Sequence, residues 1–64
     1  MNISLADQIA YVDLAHSIVR GKHRDITSYT PYDGFAVEAL EKTMAGLQAV
    51  LETLRGLEEE EPTV

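Results

Sequence analysis

The stretch that decides the fold is VEALEKTMAGLQAVLETL, residues 37–54. Its larger apolar residues recur at alternating spacings of three and four, as Val37, Leu40, Met44, Leu47, Leu51 and Leu54. This spacing places an apolar side chain about every 3.5 positions, which is the heptad pattern of helices that pack along their length. The stretch therefore predicts a long helix with one continuous apolar side.

The ends of this helix follow from capping residues. Thr30, Pro31 and Asp33 predict an N-cap and first turn, with Asp33 itself as the alternative cap because Gly34 fits a first turn poorly. Gly56 indicates an end near residue 57. The acidic segment EEEEPTV, residues 58–64, opposes the helix dipole and predicts a disordered tail.

A first helix is predicted over residues 5–20. Ser4, with Asp7 three positions later, is typical of an N-cap, and Gly21 suits the position after a helix end. The prediction is thus a single hairpin domain over residues 1–57, with helices 5–20 and 31–57 and a connection over 21–30.

Each helix has more apolar surface than a single partner helix would cover. On the first helix, Tyr11, Leu14, Ala15 and Ile18 add a second apolar row, although one partner needs an arc of only about 100°. The predicted lengths, about 24 Å and 37 Å, also leave the end of the second helix overhanging. Both mismatches predict an all-α dimer, an antiparallel four-helix bundle.

The predicted oligomer interface consists of the apolar side chains of both helices. Its members are Leu5, Ile9, Val12, His16, Val19, Val37, Leu40, Met44, Leu47, Val50, Leu51, Leu54 and Leu57.

Composition narrows the class of protein. The 64 residues include no cysteine, which excludes disulfides and cysteine zinc sites, and we expect no metal or other cofactor. A net charge of −6 argues against general nucleic-acid binding. No apolar run is long enough for a membrane span, and no signal peptide is recognisable, so a cytoplasmic location is predicted.

Catalysis is not expected. Asp13, His16 and Ser17 are the residue types of a catalytic triad, but consecutive helical positions point about 100° apart, so His16 and Ser17 cannot form the relay. Two helices also provide few walls for a substrate pocket.

The basic connection admits two interpretations. Its cations and hydroxyls can simply cap the flanking helices. Alternatively, they surround a phosphate or carboxylate just before a helix N-terminus, where amide donors converge. The candidate anion-binding residues are Lys22, His23, Arg24, Thr27 and Ser28.

The outer side of the second helix is acidic. Glu38, Glu41 and Glu52, with the glutamates of the tail, predict a surface for a basic partner protein, unless they are only a solvated helix exterior.

Three segments carry a resemblance to a known group of proteins. The opening ISLADQIAYV, the basic connection and ALEKTMAGLQAVLETLRGLEEE resemble small helical-hairpin proteins of bacteriophages and prophages, over residues 3–57. That family has no assigned activity, so the resemblance implies a fold and a phage origin but no residue roles. The connection is longer than the family's arginine-rich link. The chain is also similar, in size and helical content, to the hairpin domain of phage proteins that sequester cyclic oligonucleotide signals.

Three functions are therefore open. The first is a non-enzymatic phage-type protein that oligomerises in the host cytoplasm and binds a host protein, with inhibition of a defence system as the role that the resemblance suggests. The second is an oligomer that sequesters a phosphate-bearing nucleotide through the basic connection. The third is a structural accessory of a larger phage assembly.

Overall fold

The computed structural model describes residues 2–29 and 31–60, and nearly all of them are helical. Helix α1 is Leu5–Thr27 and helix α2 is Gly34–Glu60, and the described residues contain no strand. The two helices pack against each other, and the short connection between them makes them antiparallel. The predicted all-α hairpin is thus confirmed.

Helix α1 begins where the sequence predicts. Ser4 has an extended backbone, and its Oγ accepts a hydrogen bond of 3.1 Å from the Asp7 backbone N–H. The Ser4 carbonyl accepts the first helical bond from the Gln8 N–H at 2.9 Å. These bonds confirm Ser4 as the N-cap.

The predicted end of α1 at Arg20 is wrong, because the helix passes through Gly21 and continues to Thr27. The apolar spacing explains the extension. His23 and Ile26 follow Val19 at spacings of four and three, and both are half-buried. Their packing outweighs the roughly 1 kcal/mol by which glycine disfavours a helix interior.

Helix α2 begins at Gly34, and its N-cap is Asp33, the alternative that the sequence also allowed. The Asp33 carboxylate oxygen Oδ1 accepts bonds from the N–H groups of Phe35 at 3.0 Å and Ala36 at 3.3 Å. Asp33 therefore caps the helix directly, in place of a first turn opened by Thr30, which lies outside the described residues.

The predicted end of α2 near residue 57 is also wrong. The helix passes Gly56 and includes Glu58–Glu60. Glutamate favours helix interiors, and this propensity outweighs the unfavourable dipole at the helix end. The rest of the predicted disordered tail, residues 61–64, lies outside the described residues.

The extension of α1 removes the predicted overhang. With 23 and 27 residues, the helices are about 35 Å and 41 Å long, a difference of about one turn. Leu51, near the end of α2 that was predicted to overhang, is only 2% exposed, the lowest exposure among residues 2–29 and 31–60.

The core is a single helix–helix seam. Among residues 2–29 and 31–60, only Val37, 8% exposed, and Leu51, 2% exposed, are buried. The other seam positions are half-buried in the chain alone, so most of the predicted oligomer interface already takes part in the contact between α1 and α2, and its role between chains stays a prediction. These half-buried positions are Leu5, Ile9, Val12, His16, Val19, Leu40, Met44, Leu47 and Leu54. Val50 and Leu57, which were assigned to the same interface, remain exposed.

Gly21→Ala tests the continuation of α1. A Cβ at Gly21 would meet open space, and its backbone is not in the left-handed region. We expect the free energy of unfolding to rise by about 0.5–1 kcal/mol, because alanine favours a helix interior. Urea unfolding followed by circular dichroism measures this change. Destabilisation would instead indicate that the helix ends at Arg20.

Leu51→Ala tests the seam. Removing a buried leucine side chain leaves a cavity, and we expect a loss of about 2–4 kcal/mol in the free energy of unfolding. Leu57→Ala is the matched control, since Leu57 is on the same helix but 49% exposed in the chain alone. Equal losses for the two variants, measured at one protein concentration, would contradict Leu51 as the centre of the core.

Candidate interaction surface

The hydroxyls of the basic segment, residues 22–28, are used inside α1. Thr27 Oγ1 donates to the carbonyls of His23 at 2.9 Å and Arg24 at 3.1 Å, and Ser28 Oγ donates to the Asp25 carbonyl at 2.7 Å. The Asp25 carbonyl is one of the last four of the helix, which lack partners inside it, whereas the Arg24 carbonyl also accepts a bond from the Ser28 N–H at 3.1 Å. The hydroxyls therefore complete a helix C-terminus, the negative end of the dipole.

The cations of the segment do not converge either. Lys22 and Arg24 are two positions apart on one helix, so their side chains point to different sides. His23 Nε2 lies 3.2 Å from Glu41 Oε2 and links α1 to α2. The five predicted anion-binding residues thus belong to the last turns and the C-cap of α1, on different sides of that helix, and their role as an anion site stays a prediction. The first amides of α2 are already bonded to Asp33.

The acidic residues share one side of α2. Glu38, Glu41 and Glu52 lie on spacings that keep them on one face, and all three are exposed. Each has a partner in its own chain: Lys42 Nζ is 3.0 Å from Glu38, His23 contacts Glu41, and Gln48 donates to Glu52 at 3.4 Å. Such exposed pairs are worth about 1 kcal/mol or less, so the carboxylates can exchange partners easily.

A second apolar face runs along α1. Tyr11, Leu14 and Ile18 are spaced by three and four, and they are 60%, 57% and 56% exposed. We call these three residues the α1 stripe. At about 100° per residue, Leu14 lies about 160° around the helix from Val12 and His16, which belong to the seam. The α1 stripe therefore faces away from α2.

Helix α2 also exposes a row of mostly small or apolar side chains. Its larger members, Val50 and Leu57, are seven positions apart, with Thr53 between them. The Thr53 hydroxyl donates to the Ala49 carbonyl at 3.0 Å, and Thr43 makes the same kind of bond to Ala39. These bonds satisfy the hydroxyls within the helix and leave a surface of small groups.

A shallow concavity lies on the first half of α2. Its lining residues, Phe35, Glu38, Ala39 and Lys42, all come from this one helix. A groove with walls from a single helix is open to solvent and cannot enclose a substrate.

The triad residue types are separated as the spacing predicts. His16 is half-buried on the seam, whereas Asp13 and Ser17 are exposed. Among residues 2–29 and 31–60, no three histidine, aspartate or glutamate side chains form a group that could hold a metal ion. Neither described helix has the length and apolar character needed to cross a membrane.

Comparison of the chain with protein-family models, curated proteins and solved structures finds no match. Function must therefore be inferred from the surface itself. On that surface, the α1 stripe is a row of three large apolar side chains that packing between α1 and α2 does not cover.

Proposed function

We propose that this protein is a non-enzymatic interaction protein that works as a self-associated bundle of helical hairpins. The observation that carries the proposal is the α1 stripe. Exposed apolar residues are ordinary when scattered singly, but three large ones on one helix side indicate a contact surface.

The small core supports the proposal. Within the part of the chain that the structure describes, only two side chains are buried, whereas nine large hydrophobic or aromatic side chains are exposed. A chain of this length rarely obtains enough stability from one core, and without cysteine the hairpin cannot be reinforced by disulfides. Association is the remaining way to bury more apolar surface.

The large exposed area of the chain also supports self-association. The chain exposes 5093 Å², about 1,000 Å² more than the roughly 4,100 Å² expected for a folded monomer of 7.1 kDa. Its radius of gyration is 15.1 Å, against about 10.7 Å for a compact domain of this length. A standard protein interface covers about 800 Å² on each partner, so the excess matches one such interface.

The wider role within this proposal is binding of a basic host protein by a phage-encoded chain in the host cytoplasm. The exposed carboxylates of Glu38, Glu41 and Glu52 and the net charge of −6 support a basic partner. The phage origin and the inhibition of a defence system rest on the sequence resemblance alone.

The nucleotide-binding alternative has weaker support. Thr27 and Ser28 donate to α1 carbonyls, and His23 contacts Glu41, so three of its five residues are engaged elsewhere. The structural-accessory alternative shares the requirement for association and differs only in the partner.

Leu14→Lys tests self-association. A charge in the middle of the α1 stripe would be buried without a partner, so we expect the dissociation constant between chains to rise at least about 100-fold. Native mass spectrometry and light scattering measure the assembly, and circular dichroism checks that the helices persist.

Asp13→Lys is the matched control, because Asp13 is exposed on α1 and lies about 100° or more around the helix from the stripe. It should leave the assembly unchanged. A wild-type chain that is monomeric at high concentration, or a Leu14→Lys variant that associates normally, would contradict the proposal.

The double variant Glu38→Lys/Glu52→Lys tests the basic partner. Both charges reverse on the exposed side of α2, so a basic protein captured by the wild-type chain from host lysate should be lost. The oligomeric state should stay the same. Equal capture by both chains would contradict a role for this acidic face.

A further inference from the structure

We propose that the α1 stripe packs against the α1 stripe of a second copy of this chain, with the two α1 helices antiparallel and the twofold axis beside Leu14. This inference rests on the proposed self-association. It adds the face that is used and the direction of the partner.

The stripe has a charge at each end. Asp7 precedes Tyr11 by four positions, and Lys22 follows Ile18 by four, so both lie on the same side of α1. Both are exposed, and neither belongs to the ion pairs found among the described residues. Along the stripe, the order is therefore an acid, three large apolar residues and a base, and Asp25 lies on the same side three positions beyond that base.

An antiparallel partner complements this order. With the twofold axis midway between Leu14 and Ala15, Tyr11 of each chain faces Ile18 of the other, and Asp7 faces Lys22. Symmetry produces this charge pair twice, once at each end of the apolar contact. In a parallel arrangement each residue faces its own copy, which places Asp7 against Asp7 and Lys22 against Lys22. Opposed like charges disfavour that arrangement.

The distribution of charge over the whole hairpin also favours the antiparallel arrangement of the two copies. The end that carries the chain termini, residues 2–16 and 47–60, has six acidic residues and one basic residue, for a net charge of −5. The end that carries the connection, residues 17–46, has four of each and is neutral. Antiparallel packing separates the two acidic ends, whereas parallel packing brings them together.

The symmetry of the stripe favours a second copy as the occupant. The stripe spans about two turns of α1, with Leu14 between Tyr11 and Ile18. A self-complementary acid–apolar–base order is also the pattern that a twofold interface requires, because each patch must match itself.

Cysteine cross-linking tests the arrangement, since the natural chain has no cysteine. Asp7→Cys and Lys22→Cys are prepared separately and oxidised alone and as an equimolar mixture. In the antiparallel dimer the two copies of position 7 are about 22 Å apart along the helix, which is too far for a disulfide. We expect no interchain disulfide in either variant alone and a mixed disulfide in most of the mixture, seen by non-reducing electrophoresis and mass spectrometry.

Asp13→Cys mixed with Lys22→Cys is the control, because Asp13 is exposed on α1 about 100° or more away from the stripe. This mixture should not cross-link. Circular dichroism of each variant checks that the helices are retained.

Each other outcome overturns a defined part of the inference. Self-linking of Asp7→Cys and of Lys22→Cys would show a parallel contact and overturn the direction. An assembly seen by native mass spectrometry without any mixed disulfide would overturn the face while leaving self-association intact. A wild-type chain that is monomeric throughout would overturn both this inference and the proposed function.

Discussion

Two helices can bury only the sides that they turn toward each other, and this constraint governs the whole molecule. The seam centred on Leu51 and Val37 uses one side of each helix, and of the described residues only these two have buried side chains. Every other apolar side must face solvent or another molecule. The exposed α1 stripe is thus a direct result of building a domain from one hairpin.

The seam was predictable from spacing because helical packing repeats along the chain. Val37 to Leu54 keep the repeat without interruption, and the structure buries or half-buries every one of these positions. The same repeat extends from Val19 to His23 and Ile26, but the local signal of Gly21 suggested a helix end. Tertiary packing outweighed that local signal. Extending the apolar repeat from Val19 to Ile26 would have predicted an end of α1 close to Thr27.

The role of the basic segment could not be predicted because it depends on which helix end lies nearby. The same hydroxyls and cations suit an anion beside exposed amides and suit capping beside exposed carbonyls. Because α1 ends at Thr27 and not at Arg20, residues 22–28 form the last turns of α1, where capping of carbonyls is the available role. Likewise, spacing identified two apolar sides on α1, but only the structure separated the side used within the chain from the side left exposed.

The small core also has a consequence for the protein in the cell. In the proposed assembly, the apolar surface that completes the fold comes from another copy, so the stability of the helices depends on protein concentration. Dilute chains would spend more time open and would be degraded more readily than assembled ones. The amount of active protein would then rise more steeply than its rate of synthesis, and expression level alone could act as a threshold for activity.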